Sequence, residues 1–316
     1  MTDAAAIAEA HALADAADAR SGIVTRAARP EELPGVLARF DATWGEGRTV
    51  DIASLRAIDH AGNTVLLAVE APGAAGRADA AGRADAAGRA DAAGRMDGAG
   101  RADASGRADA AGRADTAERA DAAASDPAAP SLGATLGFLG WAGGLHVHSH
   151  MNAVDPAARG RGIGVALKLR QRAICLEHGV DEIRWTYDPL IRRNARMNLV
   201  RLGAEVIAYR PDFYGELRDT ISAGDRSDRF EVRWRLGSPR TRRALAGEPQ
   251  PEWRAAGGLP LVADFEHVRR SDPDAAARLR AVSREAFALL ADGRLRPELD
   301  AGGDYVFTAD DPDREP

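Results

Sequence analysis

The segment 159–164, RGRGIG, packs three glycines and two arginines into six residues, with HVHSHMNAV before it and VALKLRQRAICLE after it. Glycine lets a backbone approach a ligand closely and adopt positive φ at no steric cost. A helix that begins here turns unpaired N–H groups and its positive dipole end into the same space. Those are the requirements of an anion site. Three phosphate-binding patterns compete for it. A P-loop fails, because no Gly-Lys-Ser/Thr follows at the required spacing. The dinucleotide fingerprint needs a glycine at its sixth position, which is Val165 counted from Gly160 and Leu167 counted from Gly162. Arg-x-x-Gly-x-Gly is satisfied by Arg159, Gly162 and Gly164.

Groups able to move a proton lie just upstream. His146, His148 and His150 alternate along one strand and therefore share a face of a sheet. Three roles are open to them: packing inside the sheet, catalysis or acceptor binding by His148 or His150, and zinc ligation. Histidines at i, i+2, i+4 without a Cys or carboxylate partner are a weak metal pattern, so no metal is expected. Tyr187 and Asp188 close the strand EIRWTYD, while Tyr209 and Tyr214 fall near the end of the last hairpin; each reads first as a core or turn residue and second as a proton-transfer group facing the cleft. Cys175 sits in a helix body, where a buried inert thiol is expected. Arg192, Arg193, Arg196 and Arg201 spread around a helix, either as a solvated face or with one of them meeting a phosphate.

The elements that must position these groups alternate. IVTRA reads as a strand, followed by a helix start at Pro30-Glu31-Glu32 and a helical face of Leu33, Val36, Leu37 and Phe40. A short helix over 51–60, strands at 63–70 and 133–144, the histidine strand and a helix over 163–178 ended by Gly179 come next. Then follow EIRWTYD, a helix over 190–202 ended by Gly203, and the strands AEVIAY and FEVRWRL. This order predicts a mixed α/β sheet. Between residues 75 and 122 a hexamer of the type AGRADA repeats eight times. With alanine as its only regular apolar group, the repeat cannot offset the entropy of ordering. We read the region 71–131 as a disordered insert in a hairpin loop. Residues 1–20 read as a flexible N-terminal segment and 21–236 as the main domain. The extension 237–316 reads as a linker, SPRTRRALAGEPQPEW, and a small strand-helix-strand appendage.

Composition narrows the functional classes. The net charge of −6 over 316 residues supplies no basic excess for a phosphate backbone, so no nucleic-acid partner is expected. One cysteine excludes a disulfide framework within the chain and favours a reducing compartment, the cytoplasm. No stretch of 18 consecutive apolar residues occurs, so no membrane partner is expected.

The stretch 153–167, AVDPAARGRGIGVAL, resembles the acetyl-CoA motif of the GNAT acetyltransferases. A wider likeness through HSHM, WTYDPL, RNARMNLVRLGA, FYG and SDRFEVRW is to a subfamily of bacterial acetyltransferases with a C-terminal extension. The resemblance implies a GNAT-like α/β fold: a mixed, mostly antiparallel sheet with splayed central strands, flanked by helices, plus the small C-terminal α/β appendage and the disordered insert. It implies acetyl-CoA as co-substrate, its pyrophosphate on Arg159, Gly160, Arg161, Gly162, Ile163 and Gly164. Its pantetheine would bond around Asn152, Ala153 and Val154, with Asn194 in reach. An acetyl group would pass to a small-molecule or protein amine, with His148, His150 and Tyr187 as catalytic candidates; a homodimer is compatible with this. The sequence departs from the family twice. Ala195 matches the family's alanine, but Arg192 stands at its usual Asn and Leu199 at the Tyr that usually protonates the departing thiolate. A catalytically reduced acyl-CoA-binding module is therefore the alternative reading, and a Rossmann-like nucleotide binder a third.

Overall fold

The computed structural model describes residues 3–46, 49–72, 131–215 and 225–313. The repeat at 75–122 lies outside the described residues.

Seven strands form one sheet in the order β1-β2-β3-β4-β5-β7-β6. They are β1 (Ile23–Ala27), β2 (Thr64–Glu70), β3 (Gly133–Gly140), β4 (His146–Val154), β5 (Glu182–Tyr187), β6 (Glu205–Arg210) and β7 (Arg229–Arg235). Every adjacent pair is antiparallel except β4 and β5. The β2–β3 register pairs Ala68 with Gly133, so the repeat joins the two arms of a hairpin, as its flanks predict.

Two helical layers cover the sheet. On one face α2 (Leu33–Trp44) and α3 (Ile52–His60) bury Leu33, Val36, Phe40 and Leu55 against Val65, Leu67, Leu136 and Met151. On the other, α4 (Ile163–Glu177) lies beneath β4 with α1 (Ala4–Ser21) alongside. From Ala4 onward the segment expected to be a flexible tail is therefore a packed helix. Ala10, Ala14 and Ala17 form a buried stripe at helical spacing that lets α1 approach α4 closely. Asp18 at its end accepts from the Thr25 backbone N–H at 2.8 Å and from Arg170 at 3.1 Å.

The extension also differs from expectation. Its linker contains α6 (Pro239–Leu245), capped by Ser238. Arg240 on that helix is 2% exposed and donates to both carboxylate oxygens of Glu298, at 2.6 and 2.7 Å. Beyond it, β8 (Gly257–Leu259), β9 (Arg296–Leu299) and β10 (Tyr305–Thr308) make a second sheet in the order β8-β10-β9. Two further helices, α7 (Phe265–Ser271) and α8 (Pro273–Ala288), accompany it. The extension is α/β, but it is built into the body of the protein: Phe265, Phe287, Tyr305 and Phe307 share one apolar cluster with Tyr187, Phe230 and Trp234. Phe287 meets Phe230 at a centroid distance of 4.6 Å.

Candidate active site

β4 ends at Val154 and leads into a short turn, Pro156–Ala158, capped by Asp155, whose carboxylate also accepts from Arg39 at 2.6 Å. The glycine loop follows. Gly160 and Gly162 take φ of +89° and +90°, the region where a Cβ is strained. Gly162 is the N-cap of α4 and offers no capping side chain. The N–H groups of Gly160, Arg161, Gly162, Ile163 and Gly164 donate to no acceptor within the described residues. Consecutive free donors stand at the positive end of a 15-residue helix, an arrangement that suits an anion.

The side chains of the loop divide the work. Arg159 is exposed. Arg161 turns away from the cradle, donating to the Ser21 carbonyl and, through two nitrogens, to the Glu70 carboxylate at 2.7 and 2.8 Å. It fixes the loop to the α1–β1 corner, and its charge is matched locally. A Cβ added at Gly164 would meet Val154 and Met197 at 3.6 and 3.9 Å, so this glycine floors a space between β4 and the turn that follows β5.

That space widens into a gap. β4 and β5 pair only at Val147↔Ile183 and His148↔Arg184, and beyond those rows they part. Asn152, Ala153 and Val154 stay registered with β3 on the other side. The Asn152 amide donates to the Gly164 carbonyl at 3.2 Å, while its Oδ1 is buried without a partner. Asn194 lies on the short helix α5 (Arg192–Ala195), half-buried, across from this edge. The helix runs on into a π-helical turn, Arg196–Arg201. Under the vertex of the gap, Lys168 donates to Ser149 at 2.7 Å and lies 3.9 Å from the Trp185 ring centroid; the Trp185 indole in turn donates to Asn198 at 3.3 Å.

On the opposite face of the sheet, a cleft of about 390 Å³ is lined chiefly by Phe138, Trp141, His146, His148, His150, Phe213 and Tyr214. The three histidines do share a face. His146 is buried and bonded to the Gly144 carbonyl at 2.8 Å, which leaves it a structural role. His148 and His150 lie within 6 Å of Phe138 and of each other, ring to ring. A bulge between Leu136 and Gly137 in the β3–β4 register leaves His150 without a partner on β3 and tips it outward. Burial, aided by the charges of His150, His146 and Lys168 and opposed by Glu231, lowers His148 to about 4, and burial also lowers His150. Both imidazoles are neutral at pH 7 and free to accept a proton, but His148 is a weak base.

Tyr187 does not reach the cleft, which corrects its placement there. It is 5% exposed, its hydroxyl bonds that of Tyr305 at 3.1 Å, and burial drives the phenol well above its ordinary range. Asp188 likewise faces inward. Burial opposes its charge, yet two hydrogen bonds from Arg280, both 2.8 Å, hold the carboxyl below its usual value. Arg192 and Arg193 both bond to the extension, although the Arg193 side chain stays 56% exposed. Arg192 donates to Leu261 and Gly302 carbonyls and Arg193 pairs with Glu266, all on the extension. Leu199 is 1% exposed, and Cys175 is buried, its thiol pushed up to about 12. Lys168 escaped sequence reading. Its signal was a polar residue on the buried stripe of α4, seven positions before Cys175.

One parallel pair that parts thus stands in the middle of an otherwise antiparallel sheet, and the first of its strands leads through a glycine loop into a helix. No protein-family model and no curated protein sequence matches the chain. Among solved structures it is similar to Naa50 of Arabidopsis thaliana, determined with a CoA-Ac-MVNAL bisubstrate analogue, at 14% identity over 67% of this chain and 97% of that one, TM-score 0.40. It is similar to yncA from Salmonella typhimurium, determined with its cofactor acetyl-CoA, at 14% identity over 68% and 94%, TM-score 0.40. Ard1 from Thermoplasma volcanium is similar at 12% identity over 67% and 96%, TM-score 0.38. Among the described residues no group of three His, Cys, Asp or Glu is arranged to hold a metal ion, and no helix is long and apolar enough to cross a membrane.

Proposed function

We propose that this protein is a GNAT-type acyltransferase that takes an acetyl group from acetyl-CoA and passes it to an amine. The observation that carries this reading is the run of free N–H groups from Gly160 to Gly164 at the start of α4, opening onto the gap between β4 and β5. The pyrophosphate would rest on those amides and the pantetheine arm would lie along Asn152, Ala153 and Val154. The thioester then reaches the vertex of the gap, where His148 and His150 face it from the cleft. The amine, a small molecule or a protein, enters through that cleft, whose rings offer apolar and cation–π contact. A neutral His148 or His150 accepts the proton released as the N–C bond forms. Burial of Leu199 in the core favours a second reading, an acyl-CoA-binding module with little chemistry of its own. Titration with CoA and with NAD, followed by thiol release from acetyl-CoA over an amine panel, separates the three. CoA binding with amine-dependent thiol release is expected. CoA binding without release supports the module, and binding of NAD alone refutes both.

A further inference from the structure

Lys168 is a buried cation whose position packing does not explain. It is 3% exposed, its Nζ bonds only the Ser149 hydroxyl, and no carboxylate pairs with it among the described residues. Burying an unpaired ammonium works against folding, and a methionine would fill the same space without that cost. Its location is specific. Ser149 and Trp185 each stand one residue past the last paired row of β4 and β5, and the amine bridges them beneath the point where the strands part. The histidine cleft opens on the other face of the same vertex.

We propose that Ser149 and Lys168 form a proton relay that protonates the thiolate leaving the acyl donor, the task that Leu199 cannot perform. The inference rests on the acyl-CoA reading above. As the acceptor nitrogen bonds to the carbonyl carbon, the C–S bond breaks and its electron pair goes to sulfur. Ser149 gives its hydroxyl proton to that sulfur and takes one from the Lys168 ammonium. The proton that the acceptor nitrogen sheds on the cleft side passes through solvent and restores Lys168, so the products are the amide and the CoA thiol. Base and acid thus act from opposite faces on one reaction centre. Burial brings the Lys168 ammonium down to about 7, where a general acid is most effective near neutral pH. The titratable groups that act on it are Cys175 on its own helix, a neutral thiol at pH 7, and His148 across β4, a neutral imidazole.

The test needs no acceptor. Protein saturated with acetyl-CoA is held at a series of pH values from 5 to 10 and the slow release of CoA thiol to water is followed, for wild type, Lys168→Met and Ser149→Ala. The wild-type rate constant is expected to lose a contribution as pH rises through about 7, where Lys168 gives up its proton, and both variants are expected to be about tenfold slower below that pH and to lack the step. Both variants are expected to keep wild-type affinity for CoA, because the pyrophosphate loop is untouched. Equal rates and one pH profile in all three proteins overturn the relay and leave the acyl-CoA reading standing. If the wild type does not bind CoA, the functional reading itself fails, and the relay with it.

Discussion

Replacing Phe287 with alanine tests whether the C-terminal extension belongs to the same cooperative unit as the sheet. The ring is 1% exposed on α8, and its neighbours come from three sources: Phe230 on β7 at 4.6 Å, Tyr209 on β6 at 5.1 Å, and Tyr305 and Phe307 on β10 at 5.7 and 6.1 Å. A buried Phe→Ala change costs about 3–5 kcal/mol, and a single domain has roughly 5–15 kcal/mol in total. The variant therefore loses about a fifth or more of its stability. A cycle with Phe230→Ala should give a coupling of about 0.5–1.5 kcal/mol. Urea unfolding followed by tryptophan fluorescence and by far-ultraviolet circular dichroism gives the answer. Trp185 and Trp234 pack edge to face within the seven-stranded sheet, so much of the fluorescence reports on a region remote in sequence from the substitution. One transition, moved as a whole and coincident in both probes, is expected. An early transition in dichroism alone, with the fluorescence midpoint unmoved, would mean that the extension folds separately and that the shared core is an error.

Lys168→Met should raise the melting temperature at pH 7 and below. The folded amine titrates near 7 against an ordinary lysine value of 10.5, so the unfolded chain binds more protons between these values and stability climbs with pH across the window. The advantage of the variant should accordingly shrink above pH 7, and a constant advantage from pH 6 to 10 would contradict the burial of a titrating amine. For His148 the unfolded value is 6.5 and the folded one about 4, so wild-type stability is complete above 6.5 and declines as pH falls toward 4. His148→Gln should flatten that part of the profile in thermal denaturation, and an unchanged acid limb would place the titration elsewhere. Exchanging residues 75–122 for a short Gly-Ser bridge should leave stability the same or raise it by about 1–2 kcal/mol, because a loop from Glu70 to Gly133 costs only logarithmically in length. Loss of folding in that variant would refute the view of the repeat as a passive insert.

The sheet was legible because its strands are bounded by glycine and turn signals and its helices carry aliphatic faces with a clear period. The turn of the glycine loop was legible because positive φ at Gly160 and Gly162 is written in the residue type. What escaped was structure built from residues that carry no apolar signal. Helix α1 packs through Ala10, Ala14 and Ala17, whose small side chains look like filler in a sequence and become a close helix contact in the fold. Arg240, Arg192 and Arg193 look like surface charge in a sequence, yet they join the extension to the main domain, Arg240 through the Gly203 carbonyl, Arg192 through the Leu261 carbonyl and Arg193 through Glu266. Tyr187 ends its strand beside the gap, as periodicity requires, but the covering supplied by Tyr305 lies 118 residues on, and local pattern holds no trace of it.

Whether the free amides before α4 hold the pyrophosphate of CoA, as proposed, is tested by one calorimetric titration. Gly160 has φ of +89°, which strains any side chain by about 1–2 kcal/mol, but nothing lies within 4 Å of the place a Cβ would take, so Gly160→Asp should still fold. Its carboxylate would stand against the same N–H groups that a phosphate needs. Titrating CoA into wild type and Gly160→Asp should show binding weakened at least tenfold in the variant, with melting temperatures within a few degrees. Equal affinity in two folded proteins would contradict the assignment of the site.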